Sequence, residues 1–257
     1  MVFIQPTAGG MGNRLFIYAY GRLLAEEKGY ALVTPEGTPP AERGFPETSR
    51  PVVGRKIEEP RIYVLPENAD GIPNSTREQA VDPLELARTL PEGKIWLNGF
   101  FQDYRFYAPH RPKILHWFRT SMEIPEKPGP GDLVIYLQSF FNVEADFYRK
   151  VLRKMSWNRL WAVVNHPERS WSILTDLRKF SPEVFHSRDH LRDFEFLRSA
   201  RRMLLAPSTF AWWAAWLSEA EEITMARPSE GYGSRSHGVA RLEVNDLPAW
   251  RYVEYRV

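Results

Sequence analysis

The sequence predicts an α/β protein of two lobes with a cleft between them. Three observations carry that expectation. The chain opens on a short apolar strand, a glycine-rich turn, an amphipathic helix and a second apolar segment, the start of a βαβ unit. The stretch IPEKPGPGD (124–132) then places three prolines and two glycines within nine residues, a composition that interrupts regular structure. A second alternation of strands and helices begins directly after it. An N-terminal lobe over 1–127 and a C-terminal lobe over 128–257 follow, with ligands expected in the crevice such folds leave.

Residues 2–5 (VFIQ) read as the first strand. Gly9, Gly10 and Gly12 make the turn, where the missing Cβ permits positive φ and close approach to a ligand. Over 13–28, Leu15, Phe16, Ala19, Tyr20, Leu23 and Leu24 recur at helical spacing, and Gly29 ends the helix. Residues 31–33 (ALV) form the next strand. The segment 34–93 is rich in Pro, Gly and charge, and yields loops, short helices and one strand at 61–65 (RIYVL). Residues 94–101 (KIWLNGFF) read as a buried strand and its exit, and 102–120 as helix in part, broken at Pro109 and Pro112. The second half reads β-α-β-β-α-β-α-β. Its strands fall at 133–138, 160–164, 171–175, 203–206 and 222–225, and two of its helices at 144–155 and 209–220.

Composition narrows the function classes. With 257 residues, 43% hydrophobic and 26% charged, the chain can fill one large core or two small ones. A formal net charge of +2 is too small for a nucleic-acid partner. The clusters Arg149–Arg153–Lys154 and Arg198–Arg201–Arg202 read as solvated helix faces. No cysteine is present, which excludes disulfides and cysteine-held metals. No apolar run reaches the ~18 residues of a membrane span, and MVFIQPTAGGMGN lacks the basic start of a signal peptide. A cytoplasmic location is expected, with peripheral membrane contact left open. Asn74-Ser75-Thr76 matches a glycosylation sequon by chance.

Four segments can carry chemistry. In GGMGNRLF (9–16), the free N–H groups and positive end of the helix face the glycine turn, a setting that suits a phosphate or other anion. Asn13 and Arg14 add donors there. The spacing is neither a dinucleotide fingerprint nor a P-loop, and a plain strand-to-helix turn is the competing reading. In LNGFFQDYRFY (97–107), polar Asn98, Gln102, Asp103 and Arg105 alternate with aromatics. That mixture suits sugar rings, which have apolar faces and hydroxyl edges, and Asp103 could act as general base. A buried strand end is the alternative. In LLAPSTFAWWAAWLSEA (204–220), Ser208 or Thr209 caps a Trp-rich helix and could also hold a diphosphate. Trp212, Trp213 and Trp216 read as core. Asp176 in ILTD (173–176) falls at the carboxyl end of a predicted strand, where it could meet a ribose or a guanine edge. Helix capping is its other reading.

The first and third segments together resemble the α-1,2-fucosyltransferase family of the fucosyltransferase superfamily. The family's GGLGNQLFQYAFGRALA is similar to GGMGNRLFIYAYGRLLA here, LxGYFQSEKYF to LNGFFQDYRFY, and NSTFSWWAAWL to APSTFAWWAAWL. Thr175-Asp176 stands in the place of a Ser/Thr-Asp pair. The resemblance spans roughly residues 2 to 226 and implies two Rossmann-like lobes in the GT-B arrangement. It implies an inverting, metal-independent transfer of fucose from GDP-fucose to a hydroxyl of a glycan acceptor, with no cofactor beyond the GDP-sugar donor. The second lobe would bind GDP, through Ser208 and Thr209 to the diphosphate and Asp176 to the nucleoside. The first lobe, with Gly10, Gly12, Asn13 and Arg14, would face the sugar and the acceptor.

One departure stands out. The family carries H-x-R-x-G-D on the first strand of the second lobe, where LVIYLQSFFN (133–142) stands here. Tyr136 takes the place of the His and Gln138 that of the Arg. An Arg–phosphate contact is charge-assisted and bidentate, whereas Gln138 offers neutral hydrogen bonds. Arg14, Arg178, Arg202, Arg227 and Arg235 are the cations that could compensate. The alternatives are the same fold with another GDP-sugar such as GDP-mannose, or a non-catalytic nucleotide- or glycan-binding relative.

Overall fold

The computed structural model describes residues 1–4, 9–34, 45–48, 50–57, 60–64, 81–120, 122–138, 143–164, 166–229 and 242–255. Gln5, Leu65, the Asn74–Thr76 sequon and Arg235 lie outside the described residues. The chain divides into two compact units, one of Met1–Ser121 with His237–Glu243, the other of Met122–Ser236 with Val244–Val257.

The first unit runs β1 (Val2–Ile4), α1 (Met11–Lys28), β2 (Leu32–Val33), β3 (Arg61–Val64), α2 (Pro83–Thr89), β4 (Lys94–Leu97) and α3 (Arg111–Trp117). Its strands form a parallel sheet of order β2-β1-β4-β3. Val2, Ile4, Ile95 and Leu97 are buried, the alternate positions of β1 and β4. Helix α1 lies on that face. A Cβ at Gly21 would come within 3.1 Å of Leu97 and 3.2 Å of Ile4, so glycine sets how closely the helix approaches. Gly29 ends α1 in the left-handed conformation (φ 64°) and donates back to the last helical carbonyls. Lys28 Nζ donates to the Ala87 and Leu90 carbonyls, tying the end of α1 to the end of α2. Pro112 starts α3 where it was expected to break a helix. In a first turn the missing N–H has no intrahelical partner to lose.

The second unit runs β5 (Leu133–Leu137), α4 (Ala145–Leu152), β6 (Leu160–Val164), α5 (Pro167–Leu177), β7 (Glu183–Phe185), α6 (His190–Arg198), β8 (Arg202–Leu205), α7 (Thr209–Trp216), β9 (Glu222–Pro228) and β10 (Trp250–Tyr255). The sheet is parallel, of order β10-β9-β8-β5-β6-β7. Counted from β5 as the first strand, this is the 3-2-1-4-5-6 order of a dinucleotide-binding sheet. Every residue of β5 and β6 is buried, as expected of central parallel strands covered on both faces. Helix α4 packs with α5, and α6 with α7. Right-handed crossovers put these pairs on opposite faces, because the chain winds one way from β5 and the other way after β7.

The strand expected at 171–175 is helix instead. Pro167 opens α5, and its buried positions Ser170, Leu174 and Leu177 follow the helical period while Trp171, Thr175 and Asp176 face outward. Strands β7 and β10 were not expected. Ahead of β5, the buried Asp132 carboxylate accepts from Gly129 N (2.8 Å), Arg159 N (3.2 Å) and Trp161 Nε1 (3.1 Å), anchoring the proline-rich stretch to β6. Among the described residues, no helix is long and apolar enough to cross a membrane.

Candidate functional site

In an open parallel sheet, ligands bind outside the carboxyl ends of the strands, where the winding reverses. In the second unit that point lies between β5 and β8. Gln138 follows the last residue of β5 and is half-buried. Ala206, Pro207 and Ser208 follow β8, and Thr209 begins α7. Ser208 is the N-cap: its backbone is extended (φ −145°, ψ 138°), and its Oγ accepts the Phe210 N–H at 3.2 Å. Thr209 is half-buried in the first turn. Ser208, Thr209 and Gln138 are therefore brought to one sheet edge, with the first amides of α7 beside them.

Ser208 is itself buried, at 4% exposure, and Tyr136 is more so. Tyr136 is wholly buried within β5, and its ring stacks on Phe210 with centroids 5.6 Å apart. Burial pushes its pKa up, so the phenol stays protonated. Tyr136 thus has no exposed surface, against its expected place among the nucleotide contacts. Below it, Trp212, Trp213 and Trp216 are buried, with ring centroids 5.1–5.3 Å apart.

Asp176 is a further correction. Helix α5 leaves the carboxyl end of β6 and returns to the start of β7, so its last turn lies at the opposite sheet edge from Ser208. There Asp176 is exposed, 3.9 Å from Arg149. Arg178, just after α5, and Arg202, at the start of β8, lie at that same far edge. Arg202 is paired with Glu222 at 2.7 Å. Arg227 stands at the carboxyl end of β9, paired with Glu254 at 2.9 Å.

Sequence reasoning missed two residues at the carboxyl ends of the strands. His166 caps α5 after β6, and His186 follows β7. His186 Nδ1 lies 3.0 Å from the Val164 carbonyl. A carbonyl only accepts, so Nδ1 carries the proton and Nε2 is the nitrogen left to meet a ligand. The buried Asp193 carboxylate is 3.9 Å from Nδ1 and accepts from both Ser187 N and Ser187 Oγ (2.9 and 2.7 Å). For His166 the available signal was its position two residues past the buried strand β6; His186 follows the short, unburied β7 and had none.

In the first unit, Gly10 caps α1 in an extended conformation (φ −68°, ψ 174°), and a Cβ there would meet open space. Gly12 is buried in the first turn. Gly29 is the positive-φ glycine among the described residues, so the turn glycines do not serve by left-handed backbone. Gly9 is the crowded one, since its Cβ would fall 2.9 Å from Asn13 Nδ2. Gln102 Nε2 donates to Asn13 Oδ1 at 2.9 Å, joining the loop that leaves β4 to the first turn of α1. Arg14 Nε is buried and meets no acceptor among the described residues.

Asp103, the expected general base, is engaged within its own turn. It is 1% exposed, caps the short 3-10 turn at Tyr104–Phe106, and pairs with Arg105 through two contacts of 2.9 and 2.6 Å. Phe101, two residues earlier, has a left-handed backbone (φ 51°). Its ring stacks on Tyr20 at 4.0 Å, and its carbonyl accepts from Tyr107 Oη at 2.5 Å. That bend aims Gln102 at Asn13. Among the described residues no group of His, Asp and Glu could hold a metal ion.

No family model matches the chain, and no curated protein matches it in sequence. Among solved structures, the chain is similar to a point mutant of Arabidopsis thaliana FUT1 in complex with GDP. The TM-score is 0.54 at 10% identity, covering 89% of this chain and 71% of that one. At such identity the likeness is one of fold. The chain has the mixed α/β fold with parallel sheets that its sequence predicts.

Proposed function

We propose that this chain is a glycosyltransferase that uses a GDP-sugar and follows the α-1,2-fucosyltransferase pattern. The observation that carries the reading is the place of the STFAWWAAWL motif: its Ser208 caps α7 at the point where the nucleotide-type sheet reverses its winding. The likeness in fold to a FUT1 mutant in complex with GDP supports it. In this reading the diphosphate lies on Ser208, Thr209 and the first amides of α7, and Gln138 donates from β5. His166 and His186 take the nucleoside in place of Asp176. The residues of 128–257 bind the donor, and Asn13, Arg14 and Gln102 within 1–127 serve the acceptor side.

The chemistry is an inverting displacement without a metal. An acceptor hydroxyl oxygen forms a bond to C1 of fucose as the bond from C1 to the β-phosphate oxygen breaks, and the hydroxyl proton passes to a base. Charge grows on the departing GDP, where preorganised amide and hydroxyl donors stabilise it most. The test is GDP release with GDP-fucose, GDP-mannose and a glycan acceptor, beside calorimetry with GDP alone. No heat with GDP and no release from either donor would refute the proposal.

A second reading draws on Gln138. A neutral side chain at that position favours another GDP-sugar donor, or a relative that binds without turnover. Substituting Gln138→Arg adds a charge-assisted contact and should tighten GDP by roughly tenfold. Turnover only in the variant would make the natural chain a binding module, and turnover in the natural chain removes that reading.

A further inference from the structure

We infer that Arg14 makes this chain selective for an acceptor glycan that carries a carboxylate, the group its guanidinium takes as counterion. The inference rests on the reading above, in which residues of 1–127 serve the acceptor. It starts from a charge without a partner. An arginine side chain is always protonated in a protein. Arg22, Arg149, Arg198, Arg201, Arg202 and Arg227, half-buried like Arg14, each meet a carboxylate at 2.5–3.5 Å. Arg14 makes no hydrogen bond or ion pair among the described residues, and its Nε is buried. Drawing a charge out of water with no opposite charge beside it is costly.

The position of Arg14 raises that cost. It is the fourth residue of α1, within the reach of the positive end of the helix dipole, and the first turn holds no acidic residue. The N-cap is Gly10, which has no side chain to accept from the opening amides of the helix. The neighbouring Asn13 turns its Oδ1 to the buried Gln102, which donates to it at 2.9 Å. Helical side chains lean toward the N-terminus, the direction in which the glycine turn lies. An anion at this place relieves the guanidinium, the dipole and the open amides together. On a glycan that anion is a carboxylate, whose two oxygens match the planar fork of arginine. A neutral sugar leaves the cation as it stands.

The test is calorimetry on the full chain with two pairs of probes: oligogalacturonate against its methyl ester, and sialyllactose against lactose. Each pair differs in the carboxylate. The natural chain should prefer the acid of at least one pair by about ten- to a hundredfold, the range of a charge-assisted contact. Arg14→Gln should abolish that preference, and Arg14→Lys, which keeps the charge without the fork, should retain part of it. With no ligand present, Arg14→Gln should melt no lower than the natural chain, because it removes a charge that the fold leaves unpaired. The inference is overturned if neither acid is preferred, if the preference survives in Arg14→Gln, or if that variant melts lower or does not fold, since the guanidinium then serves the structure. GDP is titrated alongside. Weaker GDP binding in Arg14→Gln assigns the cation to the diphosphate and also overturns the inference. GDP binding with no acid preference refutes this inference alone, whereas no GDP binding by the natural chain refutes the reading on which it rests.

Discussion

Replacing Phe101 by alanine and by glycine separates two opposing effects at one position. Phe101 is 1% exposed and stacked on Tyr20. Deleting such a ring costs about 3–5 kcal/mol in lost burial and residual cavity. The backbone at 101 is left-handed (φ 51°), which costs a residue with a Cβ about 1–2 kcal/mol. Alanine loses the ring and retains that cost. Glycine loses the ring and removes it, while giving up about 0.5–1 kcal/mol of unfolded-chain entropy. The glycine variant should thus be the more stable of the two by about 0.5–1 kcal/mol, though both fall well below the natural protein. Urea unfolding followed by tryptophan fluorescence measures this, comparing midpoints at equal slope. In an ordinary strand the order is reversed. An alanine variant as stable as the glycine variant would therefore refute the claim that the bend at 101 is strained.

Two further outcomes are expected. Burial holds the Glu195 carboxyl at about 7, against the pull of Arg198 and Lys127, where an exposed glutamate titrates near 4.5. Between those values the folded chain keeps a proton that the unfolded chain releases, so stability falls as pH rises through that window and levels off above it. Glu195→Gln should remove the slope, gaining up to about 3 kcal/mol over the natural chain at pH 8 relative to pH 4.5; equal slopes in urea midpoints would contradict this. Gly54→Ala should lower the thermal midpoint sharply, because its Cβ would lie 2.4 Å from the Tyr30 carbonyl carbon and 2.6 Å from the Gly29 carbonyl oxygen. Those atoms are backbone and cannot swing aside as a flexible side chain would, and a cost of about 3 kcal/mol follows.

What could be read from the sequence was what local pattern decides. Helix α1 announces itself through its apolar spacing and Gly29, and β5 and β6 through unbroken apolar runs. The Trp-rich helix shows its cap in Ser208. Residues 171–175 were misread because WSILT has the aromatic and β-branched content of a strand, while the helical period shows only when Ser170 and Leu177 are counted with Leu174. Strand β7 has three residues, none of them buried, too little for a period. Asp176 was misplaced for the same reason, since an error in one strand moves it from the carboxyl end of the sheet to the opposite one. The Gln102–Asn13 bond joins residues 89 apart, and Arg105 folds back on Asp103. Neither pairing leaves a trace in spacing.

The three indoles of α7 have an optical consequence. Trp212 and Trp216 lie nearly parallel (18°) while Trp213 stands across them at 90° and 79°, all within 5.3 Å. Chromophores held so close in a fixed chiral array couple their transitions, giving the near-ultraviolet circular dichroism an exciton signature. The helix that carries them begins at Ser208, so any molecule seated there acts on a label already installed. Occupancy at that sheet edge can then be followed by light alone, with no dye attached.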